Sequence, residues 1–318
     1  MNVIQRLFSN TLMAFVGSAL MKVSTSVLFI FIGRMLGPSD AGVFTLGVTY
    51  FAIIVALSTF GLLVLLVGVV GPRRNQSGRY LVKYLLIRLV VTAVLYVGIL
   101  LFLELDLPYS EEAKTVVRIM ALGVFPEAIF SLCQALFSAH EMLFVPTIGA
   151  FINSTVTLVL GGWLLVNQGS VTSVAWFMPV ANMAGLIVFP FAIVWLFRKV
   201  PQADIPGVSW SFMRMQLALV PGFVLLGLFA TLNFQADTFI ISLMLSESDL
   251  GYFGAAQTLV AGFLLIPAAI RVALYPLMAL YKEQDEERLY QVYRKSGQYL
   301  LMLGLPMAVG VTVLAEPI

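Results

Sequence analysis

Lys22 lies near the middle of an apolar run from Leu12 to Ile32, and Ser18, Thr25 and Ser26 stand three or four residues from it. At helical spacing the four share one face. An ionisable group at the centre of a membrane span costs about 2.5–3.5 kcal/mol on insertion scales, so each one is a functional candidate. A cation on a polar face can hold an anionic ligand by charge-assisted hydrogen bonds. The competing reading gives its ammonium to backbone carbonyls or to Asp237. Asp237 stands in a later apolar run beside Asn233 and Gln235. It could carry a coupling proton or cation, or equally serve as a partner for Lys22 or Arg34. Glu127, next to Pro126 in a fourth run, is a second ion-coupling candidate. With Gln134 it could line a cavity or lie buried in a helical bundle. Arg271 and Gln257 fall in an eighth run and complete the candidate substrate-binding set of Lys22, Ser18, Ser26, Arg271, Asn233 and Gln257. Arg88 and Arg118 read as side chains snorkelling to an interface, and Asn153 and Asn182 as bridges between helices.

Other chemistries find little support. His140 is the one histidine and adjoins Glu141 in a short connection, which reads as a solvated loop. Cys133 is the one cysteine and sits in an apolar run, as a packing residue does. No Walker A motif, no HExxH and no cysteine pair is present. The expectation is a protein that is not an enzyme and uses no metal and no cofactor. A net charge of +2 gives no reason to expect a nucleic-acid partner.

The elements that must position these residues are legible from composition. Of 318 residues, 60% are hydrophobic and 11% charged, against roughly 45–50% and about 25% in soluble domains. Apolar runs of spanning length cover Leu12–Ile32, Val43–Val69, Leu81–Leu103, Val116–Phe137, Phe144–Val166, Val174–Phe197, Leu217–Leu245, Tyr252–Tyr275 and Tyr299–Ala315. Backbone groups in lipid must be satisfied within the segment, so an all-α polytopic membrane protein of about nine helices is expected. Prolines inside the runs, at 126, 179, 190, 221, 267 and 306, predict kinks. Alternate connections hold Arg6; Arg73, Arg74, Arg79 and Lys83; Arg198, Lys199 and Arg214; and Lys282, Arg288, Arg294 and Lys295. The opposite connections hold Arg34, Lys114 and Arg118, accompanied by acids at Asp40, Glu104, Asp106, Glu111, Glu112, Glu247 and Asp249. The positive-inside rule then places the N-terminus in the cytoplasm.

Residues 35–44, MLGPSDAGVF, align with residues 244–253, MLSESDLGYF, at an offset of 209. Arg79 falls on Arg288 and Tyr84 on Tyr293 in the same register. Both segments connect two spans on the same side, and an even offset of six spans gives a parallel repeat about an axis along the membrane normal. That arrangement suits a two-lobed transporter, with a first six-helix lobe over 1–209 and the first three helices of a second lobe over 210–318. On this count the second bundle is truncated and the chain is expected to lack at least three further spans.

Gly33-Arg34-Met35-Leu36-Gly37-Pro38-Ser39-Asp40-Ala41-Gly42-Val43-Phe44 resembles the R-x-L-G-P-x-x-x-G-x-[FY] signature after the first helix of Wzx-type oligosaccharide flippases. These are polysaccharide transporters of the multidrug/oligosaccharidyl-lipid/polysaccharide superfamily. Gln235-Ala236-Asp237 and Leu250-Gly251-Tyr252-Phe253-Gly254-Ala255-Ala256 are similar to that family's seventh helix and the opening of its eighth. The resemblance implies two six-helix lobes around a central cavity. It implies alternating access for an undecaprenyl-diphosphate-linked oligosaccharide, an O-antigen or other surface-polysaccharide repeat unit, in a bacterial cytoplasmic membrane. Lys22 would then face the diphosphate and Arg271 the incoming head group. Arg34, Gly37, Pro38, Gly42 and Gly251 would be structural, and membrane lipids and polysaccharide-assembly proteins would be partners. A cation-coupled multidrug exporter of the same superfamily is the alternative, and a membrane polysaccharide polymerase a more remote one.

Overall fold

The computed structural model describes residues 3–59, 61–200, 214, 229, 235–284 and 286–313, with backbone alone at 3–8, 11, 168, 271–284, 286, 288 and 289. Among these residues every regular element is helical, as lipid demands of an apolar chain. In order they are α1 (Val3–Met35), α2 (Pro38–Thr59), α3 (Leu62–Val70), a 3-10 turn (Gly71–Gln76), α4 (Ser77–Leu103), α5 (Glu111–Leu122) and α6 (Val124–Ala139). Then follow α7 (Phe144–Gln168), α8 (Val171–Val174), α9 (Phe177–Gly185), α10 (Val188–Lys199), α11 over 235–244, α12 (Glu247–Gln284) and α13 (Glu286–Val313). Eight stretches among the described residues are long and apolar enough to cross a membrane. They correspond to eight of the nine expected spans. The remaining one, the seventh, lies largely outside the described residues, as does the proline expected to kink it at 221, but its 235–244 portion is helical.

The interruptions have chemical causes. Helix breaks at Gly123, at Ala175–Trp176 and at Leu186–Ile187 each come just before Pro126, Pro179 and Pro190. Proline has no N–H for the carbonyl four residues earlier, so the helix loosens there. The expected second span is also two helices rather than one run, because Gly61 adopts φ 67 between α2 and α3, a conformation glycine reaches without penalty.

The connections gather at two ends of the bundle. At one end, Arg74 pairs with Glu141 at 2.7 Å, Asn10 Nδ2 donates to the Glu141 carbonyl at 3.0 Å, and Ser77 Oγ meets His140 Nε2 at 2.8 Å. This basic end holds the 71–76 and 140–143 connections. At the other, the motif end, Ser110 donates through N and Oγ to Glu247 Oε1 at 3.2 and 2.6 Å, and Thr172 donates to Glu112 at 3.1 Å. The alternation of connections read from the sequence is therefore a real partition in space.

His140 is not the solvated residue expected of it. It is 7% exposed, because the turn folds back over the start of α4. Burial, and then the nearby Arg74, hold its imidazole below the ordinary histidine value of 6.5. The unfolded chain thus takes up this proton first as pH falls, so the contribution is fully present above pH 6.5 and declines below it. The thermal midpoint of the chain should drop between about pH 7.5 and about pH 5.5, and His140→Gln should lessen that drop in a melting series across the same range.

The helix boundaries repeat with the offset of 209 found in the residues. Met35 and Met244 end α1 and α11, Pro38 and Glu247 begin α2 and α12, and Ser77 and Glu286 begin α4 and α13. The first turn is made by Gly37 at φ 98 followed by Pro38, a residue preorganised for a first helical position. The second copy uses Ser246 instead, whose backbone N and Oγ donate to Asp249 at 3.2 and 2.6 Å, while Asp249 N returns a bond to Ser246 Oγ at 3.2 Å. Such reciprocal capping satisfies donors that a helix start leaves bare.

The two repeat-related helices α2 and α12 pack extensively against one another. Their crossing is reciprocal. A Cβ on Gly42 would overlap the Glu247 carbonyl oxygen and one on Gly251 would overlap that of Pro38, and each would lie 3.0 Å from the other glycine's N. One turn on, a Cβ at Gly254 would overlap Thr45 Oγ1, its own repeat counterpart. Backbones this close admit glycine alone. Gly42→Ala and Gly251→Ala should each cost about 1–3 kcal/mol as overpacking, measured by thermal unfolding in lipid nanodiscs. Gly98→Ala, with nothing within 4 Å, should be neutral or slightly stabilising.

Candidate functional site

Beneath that crossing is a cavity of about 930 Å³. It runs from the level of Phe44, Thr45 and Gly254 towards the basic end at Ala14 and Thr147. One wall is α1, α2, α6 and α7; the other is the start of α11 and the middle of α12, through Gln235, Asp237, Gly254, Gln257 and Thr258. The cavity thus lies between elements related by the repeat.

Most of the polar candidates converge on it. Ser18, Lys22 and Ser26 line it with Thr25, on one face of α1, and Gln257, Asp237, Glu127 and Gln134 line it from the other elements. Asn233, and the side chain of Arg271, lie outside the described residues. Arg34 stays exposed at the end of α1.

The lining groups differ in what they have left to offer. Ser18 donates to the Ala14 carbonyl at 3.0 Å, Thr25 to that of Met21 at 3.0 Å, and Thr45 to that of Ala41 at 2.8 Å. Hydroxyls bonded back to their own helix leave only lone pairs for a ligand. Asp237 accepts from the backbone N of Thr238 at 2.8 Å, and Gln257 reaches Thr238 Oγ1 at 3.4 Å. Lys22 has no hydrogen bond or ion pair among the described residues, and the pairing with Asp237 considered above is not made. The described lining therefore carries one ammonium, Lys22, against two carboxylates, Glu127 and Asp237, rather than the uniformly basic surface that an anionic head group would suggest.

A second cavity of about 410 Å³ opens inside the first six spans and shares Met21, Thr25, Val48 and Glu127 with the first. Its polar floor is a bridge: Asn153 Nδ2 donates to Asn182 Oδ1 at 2.8 Å and Asn182 Nδ2 to the Gly123 carbonyl at 3.1 Å. The two asparagines thus join helices as expected of them, and Asn182 does so at the break before Pro126, on a carbonyl that also accepts from Glu127 N at 3.2 Å.

Arg118 pairs with Glu104 at 2.6 Å at the motif end. Arg88 does not snorkel: it is wholly buried inside the bundle. Its neighbours Tyr84 and Thr92, at four-residue spacing on the same helix face, were the signal in the sequence that this face turns inward. Equally unforeseen is a chain of hydroxyls at the motif end. Tyr50 OH meets Tyr109 OH at 3.2 Å, Tyr109 OH meets Ser242 Oγ at 2.9 Å, and Ser242 donates to the Phe239 carbonyl at 2.7 Å. It ties α2 and the 104–110 connection to α11.

The sequence profile of the family described as "Polysaccharide biosynthesis protein" matches residues 31–318. The chain belongs to that family. No curated protein matches it. Three solved structures are similar in fold. A multidrug resistance MATE family transporter of the MOP superfamily in an inward-facing conformation has 16% identity and a TM-score of 0.70, over 95% of this chain and 74% of that one. An outward-facing MATE family transporter has 14% identity and a TM-score of 0.63, over 98% and 74%. A MOP superfamily transporter from Pyrococcus furiosus, described by a binding pocket of reverse polarity that suggests a different function, has 14% identity and a TM-score of 0.63, over 99% and 75%. These likenesses show that this multi-pass chain of the polysaccharide biosynthesis family shares the fold of those three proteins.

Because Tyr109 bridges two hydroxyls, Tyr109→Phe should weaken the motif-end closure by about 1–2 kcal/mol. Tyr50→Phe, which removes one bond of the chain, should cost about half as much. Thermal unfolding of both variants in nanodiscs measures the difference.

Proposed function

We propose that this family member is a flippase for undecaprenyl-diphosphate-linked oligosaccharide, working by alternating access between two repeat-related lobes in a bacterial cytoplasmic membrane. The observation that carries the reading is the cavity: closed at the motif end by the Gly42–Gly251 crossing, it extends to the basic end and presents Lys22, which has no hydrogen bond or ion pair among the described residues. With the basic end cytoplasmic, this conformation is ready to receive a substrate made inside the cell. Lys22 engages the diphosphate through charge-assisted hydrogen bonds, and the lone pairs of Ser18, Thr25 and Thr45 take hydroxyls of the sugar. Opening of the α2–α12 crossing then releases the head group on the other side. An ion gradient or the membrane potential, worth about 2.3 kcal/mol per charge per 100 mV, supplies the drive.

Lys22→Ala should abolish surface-polysaccharide export in cells that depend on this protein while leaving its membrane insertion intact. Wild-type export by that variant would remove Lys22 from the site.

Glu127 and Asp237 in the same lining support a second reading, a cation-coupled multidrug exporter. Equilibrium binding by the purified chain separates the two. Undecaprenyl diphosphate, and not a cationic dye, should bind and should lose affinity in Lys22→Ala. Dye binding that depends on Asp237 or Glu127 would favour the exporter.

A further inference from the structure

Arg88 is 0% exposed on α4. Its Nη2 donates to Thr59 Oγ1 at 3.2 Å, yet among the described residues Nε and Nη1 have no acceptor, nor do the hydroxyls of Tyr84 and Thr92 one turn to either side have a partner. Leaving a buried ion without an opposite charge is strongly destabilising. A group so placed makes physical sense where an acceptor arrives in another state of the protein. The carboxylate whose charge reaches Arg88 is Glu127. It stands on α6, which packs against α4, with Tyr96 edge-on to Phe125 at 5.5 Å between ring centroids. Glu127 also lines both cavities. It therefore stands between the transport pathway and the buried guanidinium, in charge range of Arg88 but not bonded to it.

We propose that Glu127 is the proton-binding site that drives the cycle, and that Arg88 is its counter-ion, a positioning residue that draws the ionised carboxylate from the cavity into the bundle. The drive to transport rests on the flippase reading; the proton site does not. When ionised, Glu127 accepts from Arg88 Nε and Nη1. A proton from cavity water neutralises it, the pairing is lost, and the carboxyl returns to the cavity wall; only an O–H bond is made and broken. Other charges face the site across the cavity, Lys22 from α1 and Asp237 from α11. From α4 come Tyr84 and Tyr96 besides Arg88, whereas α2, α3, α7, α9 and α12 bring no ionisable side chain to either lining among the described residues. On α5, Lys114 and Arg118 are paired with Glu111 and Glu104 at the motif end.

The test uses the full chain in lipid nanodiscs without substrate. An acid-minus-neutral infrared difference spectrum should contain a carboxylic C=O band that Glu127→Gln removes and Asp237→Asn leaves. Arg88→Gln should displace the pH at which the band appears by more than about one unit, a tenfold change in proton concentration, and Arg88→Lys by less. A band that survives Glu127→Gln, or that ignores Arg88→Gln, overturns the proposal. Displacement of the band by sodium chloride at constant pH also overturns it, in favour of a metal cation. If Arg88→Gln does not fold, the double variant Arg88→Gln/Glu127→Gln should recover a cooperative melt; no recovery overturns the pairing. A spectrum as expected together with absent export would count against the flippase reading and leave the proton site standing.

Discussion

Two helix starts, from two copies of one repeat, press their backbones together at Gly42 and Gly251, and the rest of the described architecture is arranged around that contact. Each glycine meets the carbonyl at the other helix's first residue, so the contact is self-complementary in the way a two-fold dimer interface is. Side chains at either position would hold the helices apart and forfeit the close van der Waals and Cα–H···O contacts that lipid-embedded helices rely on. With the crossing closed, α11 comes within reach of Tyr109, Ser110 reaches Glu247, and the space beneath becomes a cavity with both copies in its walls.

The first six spans are divided by polarity along their length. One apolar cluster, with Leu28, Ile32, Phe44 and Phe177, fills the motif half, and another, with Leu62, Tyr84, Phe137 and Phe189, fills the basic half. Between them lie Glu127, Asn153, Thr157 and Asn182 around the smaller cavity. Interhelical polar contacts in membranes are individually modest, so such a layer adds little cohesion. Its physical effect is to let water and charge reach mid-membrane, where an apolar layer would exclude both.

Hydroxyls and charges divide the work of the central cavity. Ser18, Thr25, Thr45 and Thr147 bond back to their own helices, so these four leave no donor stranded in an empty cavity. Lys22 and Glu127 have no such local partner in reach, and their demand for one is what a ligand or an ion satisfies. Arg88 carries the same demand into the bundle interior, where it is 0% exposed.

The amino-acid order by itself determined the helical class, eight of the spans and the repeat offset that relates the starts of α2 and α12 and of α4 and α13, because hydrocarbon imposes length and apolarity on each segment independently of its neighbours. It also placed Ser18, Lys22 and Ser26 on one face, since the helical period is a local property. Only the tertiary structure decided that Arg88 and His140 are buried, that Gly61 divides the second span, and that Gly42 meets Gly251. It alone set two carboxylates opposite Lys22. Those outcomes depend on which helix faces lie against one another, and helix packing joins residues 29 to 209 positions apart through contacts that no local pattern of residues encodes.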